Sequence, residues 1–234
     1  MSNKKSNKVF IHQPDFAPWV TFFKRLDKSD IFVILDDVQF NRRGFTNRDY
    51  ILINKKKTLL TIPVIKTDRD KTLIKDVKID YENNWVKKTL KSIYLNYSKS
   101  INFNEINKFI EIIFEKNHKK LIDLNLEIIF YVIKKLRIKT EIIFSSSLKI
   151  DSKKSEKILD ICKKTNATHY ITGKGSLSYL NIDEFTKEKI EINDQIFFNK
   201  QYNQNSIQFV KDLSILDIMF STDFNDLEKI IKED

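Results

Sequence analysis

The sequence predicts an α/β protein built on a Rossmann-like, mostly parallel sheet with a helical segment at about 83–136. Three observations carry this expectation. An apolar strand, a proline-bearing loop, a short helix and a second apolar strand follow one another between Lys8 and Leu35. From Asn83 to Leu136 the apolar residues recur at helical spacing, and from Glu141 to Thr172 strand and helix alternate again. Apolar runs that alternate with amphipathic helices belong to sheets whose faces are covered by helices. At 234 residues the chain is long enough for one sizeable core, and one α/β domain over 1–234 is expected.

The elements follow from local pattern. KVFI, residues 8 to 11, reads as a short buried strand ending at His12. HQPDFAP is a loop, because Pro14 and Pro18 forbid regular pairing. Pro18 suits the first turn of a helix from about Trp19 to Leu26, on which Trp19 and Phe22, three apart, share one buried face. IFVIL, 31 to 35, is a continuous apolar run of the kind buried on both faces. Together these make a βαβ unit. NRDYILIN and TLLTIPV, with a Lys triplet between them, read as a β-hairpin. WVKKTLKSIYLNY, NEINKFIEIIFEK and LIDLNLEIIFYVIKKL read as three helices. EIIFSS, 141 to 146, is a strand, KKSEKILDICKKT a helix, and THYIT a strand ending at Gly173. EIND and QIFF form one extended segment, SILDIMF is a helix, and DFNDLEKIIKED is a helix capped by Asp223.

Composition narrows the function classes. The formal charge is +10, but the lysines are scattered over helix faces and loops rather than gathered with aromatics, so no nucleic-acid partner is expected. A single Cys162 excludes a disulfide framework and a multi-Cys metal site and points to a reducing, cytoplasmic compartment. No stretch approaches the length of a membrane span. The three glycines, Gly44, Gly173 and Gly175, form neither a P-loop nor a dinucleotide fingerprint.

One stretch resists the general drift toward Lys, Asn and Ile. No Lys occurs between Lys28 and Lys55, while three of the six Arg, Arg42, Arg43 and Arg48, fall there; His12 and Trp19 precede them within the same stretch from Ile11 to Ile53. In open α/β sheets ligands bind beyond the carboxyl ends of the strands. His12 closes the first strand and Asp36 and Asp37 close the second, so His12 and Asp37 are the catalytic candidates, with His12 expected to face Asp36 or Asp37. Adjacent residues of an extended segment point to opposite sides, so at most one aspartate faces a given ligand if the strand continues through them. Gln13, Asp36, Gln39, Arg42, Arg43, Asn47 and Arg48 are candidate substrate contacts, the guanidinium groups suiting a diphosphate. Gly173, Lys174 and Ser176 form a second candidate anion loop, and Tyr202 is a further binding candidate. No metal ligands are assigned: His118, His169 and Cys162 show no ligand spacing, and Cys162 lies at an apolar helix position.

HQPDFAPWVTFF, DIFVILDDVQFNRRGFTNRDYI, LLTIPV, HYITGKGSLSYL, QYNQ and LSILDIMF, in this order and across nearly the whole chain, resemble the WbqC-like family of bacterial proteins. Members commonly carry a Gly two residues after the Trp of the first segment, where Thr21 stands here. The resemblance implies a role in surface polysaccharide or O-antigen biosynthesis, linked with amino sugars and with glycyl or other acyl transfer to a sugar amine.

The expected function is therefore that of a transferase acting on a nucleotide-diphosphate-linked amino sugar in surface polysaccharide biosynthesis, by N-acyl or aminoacyl (glycyl) transfer to the sugar amine. The acyl donor is left open and no cofactor is assigned. Two alternatives stand beside it. One is an ATP-dependent amide ligase or nucleotidyltransferase-like enzyme using the same crevice. The other is a non-catalytic module that binds a carbohydrate or a partner.

Overall fold

The structure, a computed structural model, describes residues 6–66, 72–195, 197 and 200–233, with the side chain of Lys174 outside the description. In chain order its elements are β1 (Lys8–His12), α1 (Val20–Asp27), β2 (Ile31–Ile34), β3 (Arg48–Ile53), β4 (Lys56–Thr61), α2 (Trp85–Tyr97), α3 (Phe103–Glu115), α4 (Leu121–Lys135), β5 (Glu141–Phe144), α5 (Lys154–Lys164), β6 (His169–Thr172), α6 (Lys174–Leu177), α7 (Ile182–Lys187), β7 (Glu191–Asp194), α8 (Ile215–Ser221) and α9 (Phe224–Lys232). The chain divides into two compact units. The first draws on Met1–Gln13, Phe22–Asp37 and Ile138–Phe198, and the second on Pro14–Thr21, Val38–Arg137 and Asn199–Asp234.

The first unit holds a five-stranded sheet in the order β5-β2-β1-β6-β7, with every pairing parallel. Counted along the chain, that is the 3-2-1-4-5 order of a Rossmann-like doubly wound sheet. The expected α/β class is the observed one. Alternation along β1 and β2 sends side chains to two faces. Phe10 and Phe32 stack at 5.3 Å and meet Phe22 of α1 edge-on at 5.3 and 5.4 Å. Val9, Ile11, Val33 and Tyr170 pack with Ile158, Ile161 and Cys162 of α5 and Phe185 of α7. Burial on both faces is why Val9–Phe10–Ile11 and IFVI are continuously apolar; each fully buried ring contributes roughly 1.5–3 kcal/mol.

The second unit holds an antiparallel hairpin, β3 with β4, and the helices α2, α3, α4, α8 and α9. The Lys triplet does not separate the strands. Ile53 pairs with Lys56, and the two-residue turn is Asn54-Lys55, both left-handed at φ 50° and 62°. That turn matches the twist of a hairpin, and Lys56 and Lys57 open β4. The three helices expected between 83 and 136 are α2, α3 and α4.

Two further expectations are corrected. Trp19 and Phe22 do not share a face. Trp19 stays extended and bridges Ser214, and its half-buried ring meets Phe45 at 5.0 Å, so α1 begins only at Val20. The strand read as EIIFSS ends at Phe144, and Ser145–Leu148 forms a 3-10 turn.

Buried polar groups lock the second unit. Asn125 of α4, fully buried, donates through Nδ2 to the carbonyls of Pro14 and Thr46, both at 2.7 Å. Asp217 of α8, also fully buried, accepts from Tyr97 Oη at 2.6 Å and Tyr202 Oη at 2.7 Å. Burial raises its pKa, against the lowering effect of both phenols. Asp49 is treated less well. It is 1% exposed, its Oδ1 accepts from Tyr50 N at 2.6 Å, and its Oδ2 has no partner among the described residues. Burial, with Asp15 and Asp212 nearby, pushes its carboxyl up to about 8, against the pull of the Tyr50 N–H and Lys57.

A carboxyl whose folded pKa lies above its unfolded value favours the fold most when protonated. Its contribution is complete below the unfolded value of 3.8 and is lost as pH rises to about 8. Asp49→Asn, which keeps the neutral shape, is expected to flatten that decline and to stabilise the protein at pH 8 by on the order of 1–3 kcal/mol. Urea unfolding of both proteins across this range checks it, and parallel stability curves would contradict it.

Candidate functional site

In a doubly wound sheet the crevice opens beyond the carboxyl ends of the strands, where the strand order reverses. Here that point lies between β1 and β6, whose register pairs Phe10 with Ile171. His12 closes β1, and Thr172 closes β6 before Gly173. The fold thus brings His12 and Gln13 to one edge with Gly173 and Ser176.

The His12 ring, half-buried, packs against Phe10 and Phe22, with centroids at 5.6 and 5.3 Å. Its Nδ1 lies 2.9 Å from the Gln13 carbonyl oxygen. A carbonyl only accepts, so Nδ1 donates in this bond. His12 makes no hydrogen bond or ion pair with Asp36 or Asp37, contrary to expectation, because both aspartates turn toward β5.

That turn is the second correction at this edge. Asp36 and Asp37 do not point to opposite sides. Ser145, at the end of β5, places Oγ 3.0 Å from Asp36 Oδ1 and 2.5 Å from Asp37 Oδ1. Ser146 donates its N–H to Asp36 Oδ1 at 2.9 Å and its hydroxyl to Asp36 Oδ2 at 2.7 Å. Lys157 of α5, itself buried, holds Asp37 Oδ2 at 3.0 Å and also donates to the Ile150 carbonyl. One hydroxyl proton faces two carboxylates, and one ammonium supplies the opposing charge. The extended geometry assumed for this pair ends at Ile34, which frees both side chains to fold toward one partner. Asp37, the other catalytic candidate, is thus held in a buried ion pair.

Gly173 lies against the tip of the Arg25 side chain. A Cβ there would lie 2.9 Å from Nη2 of Arg25. Arg25 donates to the Gln195 carbonyl at 3.1 Å, and burial lowers its pKa against the opposing effect of Asp194. Lys174 begins a single-turn helix, and its side chain lies outside the described part. Ser176 N donates back to the Gly173 carbonyl at 2.9 Å.

The remaining candidates lie in the second unit. Arg42 is half-buried and Arg43 exposed, and Arg48 Nε donates to the Gly44 carbonyl at 3.0 Å. None of the three pairs with a carboxylate among the described residues. Gln39 is exposed and pairs with Leu73 through its backbone. Asn47 is buried and donates to the Ile62 carbonyl at 2.9 Å, a structural duty within the hairpin. Tyr202 is likewise committed to Asp217. Groups of three or more His, Cys, Asp or Glu arranged to hold a metal are absent among the described residues.

Ser145, Ser146, Lys157 and Arg25 were not singled out from the sequence. The signals were there. Ser145 follows a parallel strand at its carboxyl end, and Lys157 sits one helical turn before Ile161 on the buried stripe of α5.

The WbqC-like protein family model matches residues 13–229. The chain belongs to the WbqC-like family. It is 29% identical over 218 residues to a protein of Mycobacterium tuberculosis (strain ATCC 25618 / H37Rv) named Uncharacterized protein Rv1507c, a match covering 92% of this chain and 93% of that one. No solved structure matches. No described helix of this WbqC-like protein is long and apolar enough to cross a membrane.

The buried ion pair makes a quantitative prediction. Lys157→Met strands the Asp37 carboxylate and should cost about 3–5 kcal/mol. Adding Asp37→Asn should recover part of that loss. A double-mutant cycle by urea unfolding checks it, and additive losses would contradict it.

Proposed function

We propose that this WbqC-like protein is a transferase that moves an acyl or aminoacyl group, such as glycyl, onto the amine of a nucleotide-linked sugar in surface polysaccharide biosynthesis. The observation that supports it best is His12 at the reversal point of a doubly wound parallel sheet, with its Nδ1 at the Gln13 carbonyl. In the proposed step the sugar amine attacks the acyl carbonyl. The C–N bond forms, the donor's leaving group departs with the electron pair of the broken bond, and His12 Nε2 takes the proton shed by nitrogen. The reading takes His12 rather than Asp37 as the base, because Asp37 is tied to Lys157 and Ser145. The reading places the reaction in the cytoplasm, in keeping with a free, buried Cys162. The acyl donor is not assigned.

Arg42, Arg43 and Arg48 are a separate element of the reading. Three guanidinium groups without carboxylate partners among the described residues suit a diphosphate, and they are judged apart from His12.

His12→Asn is expected to leave stability nearly unchanged and to lower turnover by roughly 10²–10⁴. The assay supplies nucleotide-diphosphate amino sugars with a panel of acyl donors and follows amide formation by mass spectrometry. Arg42→Ala and Arg48→Ala are each expected to weaken calorimetric binding of the nucleotide sugar by about 1.5–3 kcal/mol. Full turnover in His12→Asn would overturn the base assignment. Pyrophosphate release from ATP would favour an amide ligase. Sugar binding without turnover for any donor would favour a carbohydrate-binding module.

A further inference from the structure

We infer that the cleft between α2 and α3 is a second ligand site, built for an uncharged, hydroxyl-rich ligand of the saccharide class. It lies wholly within the second unit and does not rest on the transferase reading. Its volume is about 560 Å³, inside the span of roughly 300–1,000 Å³ that small-molecule sites occupy.

The lining suits such a ligand in three ways. Aromatic rings form part of the wall and are held in place by their neighbours. Trp85 meets Phe114 edge-on at 5.1 Å and Tyr81 at 5.7 Å, while Tyr81 Oη donates to the His118 carbonyl at 3.2 Å. Tyr94, also in the lining, is braced by Phe103 at 5.7 Å yet 58% exposed, which leaves ring surface for the C–H face of a sugar. Charge is the second argument. Lys87 and Lys91 are balanced by Glu111 and Glu115, so the lining carries both donors and acceptors but no net formal charge. A diphosphate or a polycation gains nothing from such a wall, whereas hydroxyl groups use both kinds of partner. The third is an unmet donor. Trp85 is 6% exposed, and its Nε1–H has no acceptor among the described residues. A small shift of the wall would let a ligand hydroxyl or a bridging water accept from it.

The test uses the full chain. The protein has two Trp, so in Trp19→Phe the emission reports on Trp85 alone. N-acetylglucosamine and methyl β-glucoside are the probes, with uridine diphosphate as the charged comparison. At least one sugar should change Trp85 emission saturably in the millimolar range, and uridine diphosphate should not. Tyr94→Ala and Glu111→Gln should each weaken the response about three- to tenfold. Titration of the wild-type chain followed by amide and indole N–H resonances repeats the measurement without the Trp19 substitution, and shifts should centre on α2 and α3. No saturable response to either sugar would overturn the inference. So would an equal response to uridine diphosphate, an affinity indifferent to both substitutions, or shifts centred elsewhere. His12→Asn should leave this binding unchanged, so failure here and failure of the transferase reading are told apart.

Discussion

The architecture of the first unit depends on β1. That strand is hydrogen-bonded on both edges, to β2 and to β6, and buried on both faces. Each constraint removes freedom from the others. Parallel pairing on both sides forces the chain to return over the sheet each time, which supplies α1 for one face and α5 and α7 for the other. Burial on both faces then demands an apolar run, and it leaves polar side chains a place only where the strand ends. His12 is the first polar side chain beyond Val9, Phe10 and Ile11, and it appears where the strand order reverses.

The carboxyl edge carries two different kinds of polar chemistry. Beyond β2 and β5 the groups are closed on one another. Ser145, Ser146 and Lys157 take up the oxygens of Asp36 and Asp37, so the burial cost of the carboxylates is offset by partners already in place. Beyond β1 the polar group is an imidazole, with Nδ1 of His12 at the Gln13 carbonyl and the ring gripped by Phe10 and Phe22. In the second unit Asp217 is satisfied by two phenols, while Asp49 keeps one oxygen without a partner among the described residues.

Legibility followed the range of the interactions. KVFI, IFVI and the three helices from Trp85 to Lys135 were readable because periodicity and burial are properties of a short window. The position of His12 followed from the same reading, since a strand's end is local. The partners of Asp36 and Asp37 were not readable, because Ser145 and Lys157 arrive from more than a hundred residues along the chain. Trp19 was misplaced for a similar reason: its extended backbone pairs with Ser214, which no local helix signal reports. The Arg25 guanidinium beside Gly173 was not readable either, because it comes from a helix far from Gly173 in the sequence.

Ligand is proposed to bind at the carboxyl edge where β1 and β6 meet. Hydrogen–deuterium exchange with and without a bound nucleotide-diphosphate amino sugar tests it most directly. The account predicts slowed exchange in peptides spanning His12–Gln13 and Thr172–Ser176. Binding confirmed by calorimetry, with exchange in both peptides unchanged, would contradict it.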